Sequence, residues 1–145
     1  MLRFAAALAL CAVSAQADDG FARLEGHGGP VKGVAVSADG QHALTASFDY
    51  SVGYWELASG EVLRWLDGHE AAVNAVSFSA DGRTAYSAGD DFSLIVWDLE
   101  SGALRGRHQG HKGKILDIAV SNDPLRVATS GWDGWKRYGS RGAPV

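Results

Sequence analysis

Three Gly-His pairs, Gly26-His27, Gly68-His69 and Gly110-His111, stand 42 residues apart, and the positions between them repeat without a gap. Val31, Val73 and Ile115 share one place in the repeat, Ser37, Ser79 and Ser121 a second, and Asp39, Asp81 and Asp123 a third. Thr45, Ser87 and Thr129 follow, then Asp49, Asp91 and Asp133, and Trp55-Glu56 and Trp97-Asp98 close the first two units. A fixed period of this length means that one supersecondary unit is copied and stacked, because a single unit cannot bury its apolar face alone. The units run approximately over residues 26–67, 68–109 and 110–145.

Within each unit the local chemistry is that of strands. Val31 to Val36, Val73 to Phe78 and Ile115 to Val120 have strand length and mostly β-branched or apolar content. Asp39-Gly40 and Asp81-Gly82 read as two-residue hairpin turns with positive φ at both positions. Second strands are expected near 42–46, 84–88 and 126–129, third strands near 52–56 and 94–99, and fourth strands near 61–66 and 103–107. The third unit departs from this plan. Asp123-Pro124 replaces the Asp-Gly turn, Gly139 stands in the Trp place, and the basic text from Trp135 shows no strand alternation. That unit is therefore expected to lack a third and a fourth strand.

A unit running from Gly-His to Trp-Asp over about 40–45 residues resembles the WD repeat, whose four antiparallel strands form one blade of a β-propeller. The resemblance covers Phe21 to Gly134. It implies an all-β fold, a partial and open β-propeller with two complete four-stranded blades and an incomplete third. It also implies a buried network of histidine, strand-two hydroxyl, turn aspartate and tryptophan. These would be His27, Thr45, Asp49 and Trp55, then His69, Ser87, Asp91 and Trp97, then His111, Thr129 and Asp133. Phe21-Ala22-Arg23-Leu24 precedes the first Gly-His pair as fourth strands precede the later ones. In complete propellers such a leading strand finishes the last blade. Two and a half blades cannot close a ring, so the chain is expected to be a truncated or frame-shifted copy of a longer protein. Its exposed strand edges are expected to invite self-association.

The first 17 residues read as an export signal. Arg3 supplies charge, Phe4 to Val13 an apolar run, and Ala15-Gln16-Ala17 a small-x-small cleavage site ahead of Asp18-Asp19. Cys11 follows Leu10, where a lipoprotein signal wants a small residue, so a lipid anchor is not expected. Cleavage would leave residues 18–145 as a periplasmic or secreted chain, would move the formal charge from −4 to −5, and would remove Cys11, the one cysteine. The mature chain then has no disulfide, thiolate or cysteine-based haem site. Some exported bacterial WD-repeat proteins carry a c-type cytochrome domain after the propeller. Electron transfer of that kind needs a Cys-x-x-Cys-His motif and could belong only to a longer parent. An acidic balance without a basic stripe gives no footprint for nucleic acid, and no membrane association is expected after cleavage.

Catalysis is not expected either. Ser, His and Asp recur in every unit, as architecture does, whereas a hydrolase triad needs one exposed nucleophile beside an oxyanion hole. His108-x-x-His111 lacks third and fourth ligands for a metal, and Asp90-Asp91 includes a repeat residue. No cofactor is implied. Protein binding is the better expectation. In WD-repeat proteins partners commonly dock on the narrow face around the channel, whose positions here are Pro30, Lys32 and Phe48; Ala72, Asn74 and Asp90; and Lys114, Leu116 and Trp132. Phe48 and Trp132 stand out, because exposed aromatics make interface anchors.

Overall fold

A computed structural model describes residues 23–122, 125–134 and 136–140, so the proposed signal segment lies outside the described residues. Strands β1 (Val31–Val36), β2 (His42–Ser47), β3 (Ser51–Glu56) and β4 (Val62–Asp67) form one antiparallel sheet in chain order. Strands β5 (Val73–Phe78), β6 (Thr84–Gly89), β7 (Ser93–Asp98) and β8 (Leu104–Gln109) form a second. Strands β9 (Ile115–Asn122), β10 (Leu125–Gly131) and β11 (Lys136–Ser140) form a third. Among the described residues there is no helix.

The period survives at the level of single backbone pairs. Thr45 lies opposite Gly53, Ser87 opposite Ile95 and Thr129 opposite Arg137. Even the irregularities repeat: the first pair of strands in each sheet slips at Val31/Gly33, at Val73/Ala75 and at Ser130/Gly131. The expectation that the third unit has no third strand is corrected here. β11 pairs antiparallel with β10, and Val127 faces Gly139 as Ala43 faces Trp55. A strand needs no apolar alternation of its own once a neighbouring strand offers a full row of backbone donors and acceptors.

The Asp-Gly turns are corrected too. Positive φ falls on Gly40 (73°) and Gly82 (69°), and neither Asp39 nor Asp81 shares it. The aspartate is instead held by its neighbours: Ser37 Oγ donates to Asp39 at 2.5 Å and the Gln41 N–H at 3.0 Å, while Ser37 Oγ accepts the His42 N–H at 2.9 Å. Ser79, Asp81 and Arg83 repeat the serine and backbone contacts to the aspartate. The Ser-x-Asp-Gly sequence thus makes a longer, side-chain-capped turn, in which only the glycine must be left-handed.

Sheets stack face to face. Leu44, Ala46 and Val52 of the first meet Val76, Phe78, Ile95 and Trp97 of the second in one cluster. On its other face the second sheet offers Ala75, Tyr86, Ala88 and Leu94 to Ile115, Ile118 and Val127 of the third. Each fully buried large aliphatic or aromatic side chain contributes roughly 1.5–3 kcal/mol. The second sheet, covered on both faces, therefore has the greatest share of core. On the first sheet Val34 and Val36 remain 68% and 58% exposed, where their counterparts Val76 and Phe78 are buried.

Candidate functional site: buried networks and a turn face

Three hydrogen-bonded networks lie between the sheet ends and the Gly-His segments. In the first, His27 Nδ1 and Asp49 Oδ2 are 2.9 Å apart, His27 Nε2 and Thr45 Oγ1 2.7 Å, and Trp55 Nε1 donates to Thr45 Oγ1 at 2.7 Å. In the second, the matching distances among His69, Asp91, Ser87 and Trp97 are 2.8, 2.7 and 2.7 Å. One proton assignment satisfies every atom: Nδ1–H donates to the carboxylate, the hydroxyl donates to Nε2, and the hydroxyl oxygen accepts the indole N–H. The third network is looser. His111 Nδ1 lies 3.1 Å from both Asp133 oxygens and Nε2 2.9 Å from Thr129 Oγ1, and Gly139 has no indole to add.

The carboxylates at these sites are held in their charged form. Burial pushes Asp49 up, but donation from the Ser51 hydroxyl and N–H, from His27 and from the Gly28 N–H outweighs it, and its pKa falls below the ordinary value. Asp91 is lowered in the same way: burial raises it, and His69, the Glu70 N–H and the Ser93 N–H more than compensate. The networks are enclosed by their own blades, so they fasten the Gly-His segment to the sheet rather than face a ligand.

The residues that do face solvent sit at one end of the sheets. The turn joining the second and third strands of each sheet is tied to the segment entering the first strand. Phe48 N–H donates to the Pro30 carbonyl at 3.0 Å, Asp90 N–H to Ala72 at 2.8 Å and Trp132 N–H to Lys114 at 3.0 Å. Phe48 is 43% exposed, Trp132 72% and Leu116 44%. The Lys32 ammonium lies 5.1 Å from the Phe48 ring centre, and that of Lys114 lies 5.5 Å from the Trp132 ring. Lys114 also pairs with Asp90 at 2.5 Å, and Asp90, although raised by burial, ends below the usual carboxylate range through Lys114 and Asn74. Asn74 is the exception among the expected surface residues. It is buried, and its amide donates to Asp90 at 2.7 Å and to the Ile115 carbonyl at 2.8 Å. It is a strut between the second and third sheets, because its amide reaches across to the Ile115 carbonyl.

The WD domain, G-beta repeat family model matches residues 13–56, 60–98 and 102–135, most of the chain. The chain belongs to the WD-repeat family. WD-repeat domains are interaction modules and are in general not catalytic, and the open four-stranded sheets of this WD-repeat protein have the blade architecture that the sequence implied. No curated protein matches it.

Two residues of the turn face escaped the sequence reading. Tyr50 and Phe92 have φ of 73° and 64°, the left-handed region, and are 51% and 41% exposed. Their repeat partner is Gly134, also left-handed at 73°, and that glycine was the available signal. His108 and His111 line a cavity of about 10 Å³ with Leu94, Ile115 and Thr129, room for roughly one water molecule and no cofactor. Among the described residues no group of three or more His, Cys, Asp or Glu is placed to hold a metal ion.

Proposed function

We propose that this WD-repeat protein is an exported, non-catalytic interaction module, periplasmic or secreted, whose protein partner docks on the turn face. The observation that carries the reading is the row of exposed aromatic rings on that face, two of them capped by lysine. Trp132 and Phe48 offer rigid apolar area, and Lys32 and Lys114 add a positive rim only partly neutralised by Asp90. Large aromatics beside cations are the composition of binding anchors, and exposing them has no return in folding stability. Export rests on Arg3, the apolar run Phe4 to Val13 and Ala15-Gln16-Ala17.

The test is photo-crosslinking in cells that export the chain, with a photoreactive residue at position 48, 132 or 100. Glu100 is exposed and lies in the turn between β7 and β8, at the opposite end of the sheet. The expected result is one discrete adduct, the same protein from 48 and 132, and none from 100. The adduct at 48 should weaken when Trp132→Ala is added. Equal yields at all three positions, or no adduct at 48 and 132, would overturn the proposal.

A further inference from the structure

On the turn face two ammonium groups share one carboxylate. Lys32 and Lys114 come from different places in the repeat, aligned with Asn74 and Ala72, yet each lies by an exposed aromatic ring, Phe48 or Trp132. The attraction of a cation for a ring face keeps each ammonium at the rim of an apolar surface. Asp90, in the ring position of the second unit, is the acidic side chain both of them act on. Lys114 touches Asp90 Oδ2 at 2.5 Å, and Lys32 attracts the same carboxylate from further off. The other oxygen, Oδ1, accepts the Asn74 amide at 2.7 Å, so Asp90 cannot swing to Lys32. Among the described residues Lys32 makes no ion pair. We propose that the partner of the turn face presents an acidic segment, with carboxylates at Lys32 and Lys114 and an apolar side chain against Phe48 or Trp132. The proposal rests on the turn face being the docking face and names the chemistry of what docks there.

The neighbouring charges leave that surplus in place. Glu70 and Lys112 hold one repeat position and offset each other. Asp49, Asp91 and Asp133 are committed to their histidines, and Asp117 Oδ1 accepts the Ile118 N–H. A basic segment would meet two ammonium groups, and the one carboxylate between their rings already has both oxygens occupied. An acidic segment meets charge of the opposite sign beside apolar area, the pairing that steers encounter and rejects like-charged competitors. Asp90 then acts as an internal competitor that holds Lys114 until a partner carboxylate arrives.

The probe is a random dodecapeptide phage library selected on the full chain, followed by fluorescence anisotropy of the enriched peptides. Enriched peptides should carry Asp or Glu next to large apolar residues. Their affinity should fall roughly three- to tenfold in the Lys32→Gln, Lys114→Gln double variant and weaken with added salt. Asp90→Asn, which keeps an acceptor for Asn74 and removes the competing charge, should tighten binding about two- to fivefold. Lys32→Gln alone leaves Asp90 both its partners and repeats the test should the double variant not fold. Basic or uncharged enriched peptides, an affinity indifferent to both lysines, or no enrichment overturns the acidic assignment. Any of these results, together with discrete crosslinks at positions 48 and 132, leaves the docking face standing; loss of the crosslinks removes both.

Discussion

The second and third sheets carry the same histidine, hydroxyl and aspartate, yet only the second has an indole to finish the set. Trp97 is 1% exposed, packs in the cluster with Leu44, Val52 and Phe78, and donates to Ser87. The third sheet has Gly139 in that place, its histidine contacts are longer, and β11 still forms in the same register. The backbone ladder and the strand before it are thus enough to place the third strand. The tryptophan adds two separate things, a large apolar body for the neighbouring sheet and a donor that saturates the hydroxyl.

The body should matter most. Trp97→Ala is expected to cost about 3–5 kcal/mol in urea denaturation, with an unchanged slope against denaturant. A cost below about 1 kcal/mol would mean that the second sheet is no more dependent on its indole than the third, and the comparison would fail. The donor can be isolated by an isosteric change. Thr45→Val leaves two buried groups unpaired, the Trp55 N–H and His27 Nε2, whereas Thr129→Val leaves only His111 Nε2. At about 1–3 kcal/mol for each orphaned group, Thr45→Val should cost roughly twice as much as Thr129→Val. Equal losses would show that the indole N–H draws no stability from the hydroxyl.

Much of this was legible in the sequence because the repeat supplies three readings of each position. His27, Thr45, Asp49 and Trp55 come together as the repeat placed them, and strand limits fall within a residue or two of those expected. What stayed hidden depends on contacts that no single segment displays. β11 is built by its neighbour's hydrogen bonds and not by Lys136-Arg137-Tyr138 alone. Asp39 keeps ordinary φ because Ser37 and Gln41 capture its carboxylate, a competition invisible in the Asp-Gly pair. Asn74 looked like a surface residue by position, and only the third sheet's Ile115 carbonyl explains why it turns inward.

Acid should act on the two complete networks through their carboxylates. Asp49 and Asp91 have folded pKa values below the ordinary 3.8. A group lowered by folding contributes its stability in full above the unfolded value and loses it as pH falls through the folded one. The stability that separates the parent chain from Asp49→Asn should therefore hold at neutral pH and shrink progressively below about pH 4. Urea midpoints at a series of pH values measure it, and a difference that shrinks as pH rises instead would reverse the sign of the argument.

The smallest effect should be a gain. Tyr50 and Phe92 occupy a left-handed turn position that the third sheet gives to Gly134. A side chain there costs roughly 1–2 kcal/mol, and glycine returns part of it through its greater freedom when unfolded, about 0.5–1 kcal/mol. Tyr50→Gly and Phe92→Gly should each raise stability by at most about 1.5 kcal/mol, seen as a higher thermal midpoint. The half-exposed rings have little packing to lose. If the midpoint rises while the adduct at position 48 weakens, the aromatics are held at the turn face against the preference of the backbone, which is what a binding surface requires. If the midpoint falls, the rings pack more than their exposure implies, and the turn face loses two of its four aromatics.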